Sequence, residues 1–239
     1  MAGLTTMKPL NDRLPSIRSY TLRGNRMTDA QAEAIAKYSD KFCLLPESPI
    51  TPKELFPNSK EIIVEVGSGM GEATALIAEQ FPDTGFIAIE VHTPGIGALL
   101  IKIAEGELSN LRLLEDDATV ALRDSFPNHS INAFHIFFPD PWSKVRQRKR
   151  RIIQGPFLDI LASKLKPNGR IHIATDWQDY ANYIKKVFLE HSAFEGEIVE
   201  RPDWRPLTKF EGKGLRKDHN VTDFTYTLKV KAFHPVRTC

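Results

Sequence analysis

Asp140 stands between Pro139 and Pro141, with Trp142 and Lys144 just behind it and Arg146, Arg148, Lys149, Arg150 and Arg151 next in line. The two prolines restrict the backbone on both sides of the carboxylate and hold it in one direction. A carboxylate fixed in this way suits a reaction in which a neighbouring group becomes cationic, because the compensating charge is in place before the transition state needs it. The six cations in the eight positions from Lys144 to Arg151 suit a polyanion. Arg and Lys there can neutralise phosphates and position a nucleic acid without reading its bases. Seen alone, such a run is more often a solvated face than a binding site, but this one adjoins a candidate reacting loop. Trp142 either stacks on a base or packs beneath the loop.

A second constellation lies upstream, where the apolar run Ile62-Ile63-Val64 opens into Glu65-Val66-Gly67-Ser68-Gly69-Met70-Gly71-Glu72. Missing side chains at Gly67, Gly69 and Gly71 let a ligand approach the backbone. The spacing is G-x-G-x-G and not the G-x-G-x-x-G of dinucleotide enzymes, since position 72 is Glu. Glu65 would repel a pyrophosphate and attract the amino group and sulfonium of S-adenosylmethionine, so charge favours that methyl donor over NAD. A plain glycine turn is the alternative for this motif in isolation. Glu90 ends a further apolar run and is placed to accept both ribose hydroxyls, a device that NAD sites share. Asp117, in Glu115-Asp116-Asp117-Ala118, is placed to accept from an adenine amino group. It is equally a helix N-cap, and Asp116 competes for the ligand role. Asp176 is a substrate contact or the N-cap of the helix that follows.

The elements that must position these groups alternate. Strands are expected at 61–66, 86–91, 111–114, 131–138 and 170–175, and helices at 71–81, 94–108, 118–125, 156–165 and 177–191. The strands are continuous apolar runs, as when helices cover both faces of a parallel sheet. Runs 194–200 and 222–232 alternate apolar and polar residues like an antiparallel edge. The expected fold is α/β, a doubly wound, seven-stranded, mostly parallel sheet with an antiparallel last strand. In such a sheet the ligand crevice lies beyond the carboxyl ends of the strands, where Gly67, Glu90, Asp117, Asp140 and Asp176 all fall. Residues 1–50 read as an N-terminal arm with a short helix near 29–40, and 51–239 as a single domain.

A net charge of +2 leaves nucleic-acid affinity to clustering and not to overall charge. Cys43 and Cys239 are the only cysteines, which argues against a disulfide framework or a thiolate metal site. No metal is expected, since His219 has no second ligand at a usable spacing. No segment approaches the roughly 20 apolar residues that span a bilayer, and a cytoplasmic protein is expected.

The glycine turn Glu65–Glu72, the loop Phe137–Lys144 and the downstream Thr208-Lys209-Phe210-Glu211 together resemble the tRNA (guanine-N7-)-methyltransferase family. The resemblance runs from Gly24-Asn25-Arg26-Met27-Thr28, similar to the family's Gly-Arg-Met-Thr element, to Asp223. It implies a class I methyltransferase that uses S-adenosylmethionine, with tRNA as partner and a guanine at position 46 of the variable loop as target. Asp140 is implied as the catalytic residue beside donor and base. The resemblance selects Asp117 over Asp116 and implies that Thr208, Lys209, Phe210 and Glu211 close over donor and guanine. Lys144, Arg148, Lys149, Arg150 and Asp176 complete the expected substrate side. Gln147, where many members have His after the Arg, and Asp218, where many have Gly before the His, depart from the pattern. No obligate protein partner is expected, and either a monomer or a homodimer fits. Two other readings are an amino-methyltransferase on adenine or cytosine, because Pro139-Asp140-Pro141-Trp142 partly matches the loop of that class, and a non-catalytic RNA-binding module on the same fold.

Overall fold

The computed structural model describes residues 17–21, 26–46, 48–207 and 220–230. Thr208, Lys209, Phe210, Glu211, Asp218 and His219 lie outside the described residues, as do residues 1–16 and 22–25 of the expected N-terminal arm.

Helix α1 (Asp29–Phe42) starts at a capping box: the Gln31 amide donates to the Thr28 hydroxyl (3.3 Å), and the Thr28 amide donates to Gln31 Oε1 (2.9 Å). Thr28 of the N-terminal motif therefore serves as a helix cap. β1 (Cys43–Leu44) and α2 (Pro52–Leu55) follow, and then the expected alternation. It comprises β2 (Glu61–Val66), α3 (Glu72–Gln80), β3 (Thr84–Glu90), α4 (Thr93–Glu105), β4 (Leu111–Glu115), α5 (Ala118–Ser125) and β5 (Ile131–Phe137). A 3-10 turn over Val145–Arg150 leads to α6 (Gly155–Lys164), β6 (Leu165–Thr175), α7 (Gln178–Glu190), β7 (Phe194–Val199) and β8 (Thr222–Leu228).

The sheet order is β1-β4-β3-β2-β5-β6-β8-β7, parallel except for β8, which runs antiparallel to both of its neighbours. This is the expected doubly wound architecture with one more strand. The two-residue β1 extends the edge through Cys43↔Leu113 and Leu44↔Leu114 and is too short to show any periodicity. β6 begins five residues before the expected strand because its register with β5 breaks between Ile131↔Leu165 and Ala133↔Arg170. The excess residues between these pairs, with Asn168 at φ +61°, form a bulge that reads as a loop in the sequence.

Helices cover both faces, and two apolar layers result. One joins Val64, Ile87, Phe134 and Ile171 to Leu122, Leu161 and Ile184, and the other joins Ile63, Ala88 and Leu113 to Ile77, Leu99, Ile103 and Phe42. α1 belongs to the second layer. Its Gln31 Nε2 donates to the Pro94 carbonyl (3.1 Å), and a Cβ on Gly97 would meet Gln31 at 2.8 Å, so α1 and α4 are in close contact. Residues 29–44 thus pack as part of the sheet domain.

Candidate active site

The C-terminal ends of β2, β3 and β5 open on a cleft of about 290 Å³ lined by Gly67, Gly69, Glu90, Asp116, Phe138 and Asp140, with Ser19 and Tyr20 on its outer side. The three glycines divide their work. Gly67 (φ +77°) and Gly69 (φ +57°) hold left-handed backbone, and a Cβ on either would enter open space, so the turn bares its backbone to the cleft. Gly71 (φ +71°) is the N-cap of α3, where a Cβ would strike Leu99 at 2.6 Å, so its role is helix packing.

Glu90 braces this turn. Its Oε2 accepts from the Gly69 amide (2.6 Å), and its Oε1 accepts from Val91 (2.8 Å) and His92 (3.0 Å). Burial raises its pKa and these amide hydrogen bonds oppose the rise. Glu65 lies beneath the turn at 4% exposure and does not line the cleft. Burial pushes its carboxyl up to about 7; the Thr74 hydroxyl beside it pulls the other way, and Glu90 adds to the rise. Glu65 therefore stands behind the turn and outside the cleft wall.

Of the two neighbouring aspartates, Asp117 is buried and does not line the cleft. Asp117 Oδ1 caps α5, accepting from Thr119 (2.8 Å) and Val120 (3.2 Å), while its buried Oδ2 has no hydrogen-bond partner among the described residues. Asp117 thus takes the capping role that the sequence left open. Asp116 lines the cleft and accepts from the Asp117 amide (2.7 Å). Asp176 precedes α7 but is not its cap; Trp177 occupies that position, and its amide donates to the Thr175 hydroxyl (3.3 Å).

Asp140 is exposed at the cleft mouth. The loop around it is tighter than two prolines alone require, since Phe138 (φ +50°) and Trp142 (φ +43°) both hold left-handed backbone. Each costs about 1–2 kcal/mol, a strain concentrated where a side chain must be aimed.

The basic run is split between inward and outward cations. Arg151 is 1% exposed; it donates to the Pro141 carbonyl (2.8 Å), pairs with Asp179 and faces the Tyr180 and Tyr183 rings. Arg148 pairs with the other Asp179 oxygen at 3.0 Å. Arg150 stacks 3.8 Å from the Trp142 ring centroid and donates to the carbonyls of Arg18 (2.9 Å) and Tyr20 (2.5 Å), while Trp142 Nε1 donates to the Ser19 carbonyl (2.8 Å). Trp142 and Arg150 therefore strap residues 18–21 across the cleft. Lys144, Arg146 and Lys149 are exposed and make no ion pair among the described residues. Replacing these three by Gln should weaken binding of the expected nucleic-acid partner and lower the slope of log affinity against log salt by about 2–3, with affinity for the expected methyl donor unchanged. A salt titration by filter binding checks this, and an unchanged slope would leave the run as a solvated face.

A larger cleft of about 440 Å³ flanks the same sheet, lined by His135, His172 and Trp204 and by Glu61 and Thr84 at the entering ends of β2 and β3. Burial pushes His135 down to about 3, so its imidazole is neutral. This cleft has neither the glycine turn nor Glu90, Asp116 or Asp140, so the smaller one is the candidate site. Among the described residues no cluster of His, Cys, Asp or Glu is arranged to hold a metal ion, and no helix is long and apolar enough to cross a membrane.

A glycine turn, acidic strand ends and a proline-held Asp on a doubly wound sheet fit a methyltransferase, and a family model described as "Putative methyltransferase" matches residues 59–224. The tRNA (guanine-N(7)-)-methyltransferase of Nitrosomonas europaea is 45% identical over 217 residues, covering 89% of this chain and 97% of that one. That of Dechloromonas aromatica is 45% identical over 218 residues, covering 89% and 88%. The chain belongs to the tRNA (guanine-N(7)-)-methyltransferase family. Among solved structures, the 16S rRNA methyltransferase KamB superposes with a TM-score of 0.55 at 15% identity, covering 74% of this chain and 92% of that one. The antibiotic-resistance methyltransferase Kmr gives 0.51 at 14% identity, covering 75% and 92%; at such identities the likeness extends to the fold alone.

Proposed function

We infer that the protein methylates N7 of a guanine in tRNA, at position 46 of the variable loop, with S-adenosylmethionine as donor and in the cytoplasm. The observation that carries this reading is the placement of Asp140 at the mouth of the cleft that holds the bare glycine turn and Glu90. The donor fits the residues present. Among the described residues the buried Ser68 Oγ and Asp117 Oδ2 have no hydrogen-bond partner, the backbone at Gly67 and Gly69 faces open space, and the nearby carboxylates suit a cationic ligand.

When bound, S-adenosylmethionine supplies an electrophilic methyl on a sulfonium. Glu90 would hold the ribose hydroxyls, Asp117 Oδ2 the adenine amino group, and Glu65 would supply negative charge beneath the turn. Guanine N7 carries an in-plane lone pair and no proton, so its attack needs no general base. The step requires alignment and a negative charge where the purine becomes cationic, and Asp140 provides both. Lys144, Arg146 and Lys149 would hold tRNA phosphates, with Arg148 joining them if it releases Asp179. Asp176 is assigned to the substrate side on its place just after β6, and Thr208, Lys209, Phe210 and Glu211 on the family resemblance. Arg150, placed there with them, is here engaged by residues 18–21.

Glu90→Ala should weaken donor binding about tenfold or more and leave tRNA binding intact, since charge-assisted hydrogen bonds are worth about 1.5–3 kcal/mol each. Calorimetry checks it, and unchanged donor affinity would remove Glu90 from the site. The function itself is tested with labelled donor and tRNA followed by borohydride and aniline, which cleave at N7-methylguanine. One cut in the variable loop is expected. Label without cleavage would indicate an amino-methyltransferase, and donor or RNA binding without label would indicate a non-catalytic module.

A further inference from the structure

The turn that carries Asp140 rests on a buried ion pair that the chemistry above does not use. Arg205 Nε donates to Asp223 Oδ1 (2.7 Å) and a terminal guanidinium nitrogen to Oδ2 (2.9 Å), with side-chain exposures of 1% and 2%. His172 Nε2 lies 2.8 Å from the same Oδ1. The guanidinium sits 5.7 Å from the Phe138 ring centroid. Phe138 is one of the two residues held in left-handed backbone beside Asp140, and its amide donates to the Ala174 carbonyl (2.8 Å). Ala174 is in turn the register partner of Asp223. Phe137, Ala174 and Asp223 thus form one row across β5, β6 and β8 at the end of the sheet that carries the site.

A buried ion pair is poor value as a stabiliser, because desolvation consumes most of its attraction and well-packed apolar replacements often serve as well or better. A bidentate fork does something that apolar packing does not, since it fixes the plane and direction of the guanidinium. The guanidinium carbon lies over the Phe138 ring, two residues before Asp140.

We propose that Arg205, held by Asp223, is a positioning residue for methyl transfer, pressing on Phe138 to aim the Asp140 carboxylate at the cleft. The inference rests on the functional reading above. It differs from a stability role in that its effect passes through Asp140.

The test compares wild type, Arg205→Met/Asp223→Leu, Asp140→Asn and the combined triple variant by single-turnover methylation of tRNA at saturating donor and enzyme. Replacing both partners avoids leaving one charge buried alone. The pair variant should remain folded, bind donor within about twofold of wild type, and lose about a hundredfold in rate, the scale of a misplacement near 1 Å. In the Asp140→Asn background the same two substitutions should cost little more, because coupled residues are not additive. Arg205→Lys, which keeps the charge and one contact, should fold and show a smaller loss with the same non-additivity.

A wild-type rate in the pair variant would overturn the proposal, as would an equal fold-loss in both backgrounds. Failure of both the pair variant and Arg205→Lys to fold would assign the pair to stability alone. If wild-type protein left guanine N7 unmethylated, the functional reading would fail, which is a separate result from an active wild type with an equally active pair variant.

Discussion

Asp140→Asn should slow single-turnover methyl transfer about 100- to 1000-fold, the scale seen when one preorganised electrostatic group is removed from a transition state. The substitution keeps shape and some hydrogen bonding and removes the charge. Positive charge moves onto the purine as N7 attacks, so a fixed carboxylate stabilises the transition state more than the ground state. Asp140 is exposed and carries no core packing, so melting temperature and donor affinity should change little. With no proton to remove from N7, the ratio of wild-type to variant rates should stay level as pH rises, and alkaline buffer should not rescue the variant. A near wild-type rate would leave Asp140 as a turn residue.

Glu65→Gln should raise stability at pH 8 by about 3 kcal/mol relative to its effect at pH 4, the cost of a carboxyl shifted by some two and a half pH units. The folded-state value is raised from 4.5 to about 7. Below pH 4.5 the group is neutral in both states and imposes no penalty. Between 4.5 and 7 the unfolded chain ionises it while the folded chain does not, so wild-type stability falls as pH rises, and above 7 the loss is complete. Gln does not titrate, and the melting temperatures should diverge by about 6–12 °C across that window. Donor affinity should move the opposite way, because a cationic ligand favours the ionised carboxylate and the variant lacks it. Wild-type donor binding should therefore release protons near pH 7, seen in calorimetry as a dependence on buffer ionisation heat. Parallel melting curves for the two proteins at every pH would remove Glu65 from this account.

The strands and the glycine turn are legible in the sequence because continuous apolar runs ending in Glu65-Val66-Gly67 or Phe137-Phe138-Pro139 encode both burial and its end. β1 is not legible, since two residues carry no period. Less visible still is the fate of the basic run. A string of cations reads as solvated surface, yet Arg151 is buried against Tyr180 and Tyr183 and shares Asp179 with Arg148, a partner 28 residues away from Arg151. Arg150 bonds to backbone carbonyls of residues 18 and 20, acceptors that every residue type presents alike. The left-handed Phe138 and Trp142 carry no signal in residue type, because neither is a residue that favours that conformation.

The hold of Trp142 and Arg150 on residues 18–21 spans 123 to 132 residues of chain and uses no strand or helix pairing. A few side-chain bonds worth about 0.5–1.5 kcal/mol each set its opening energy. That lies well under the 5–15 kcal/mol of a whole domain. Residues 18–21 should therefore open at a lower free energy than the sheet does. Amide protons at residues 18–21 should exchange long before those of β2 or β5 do.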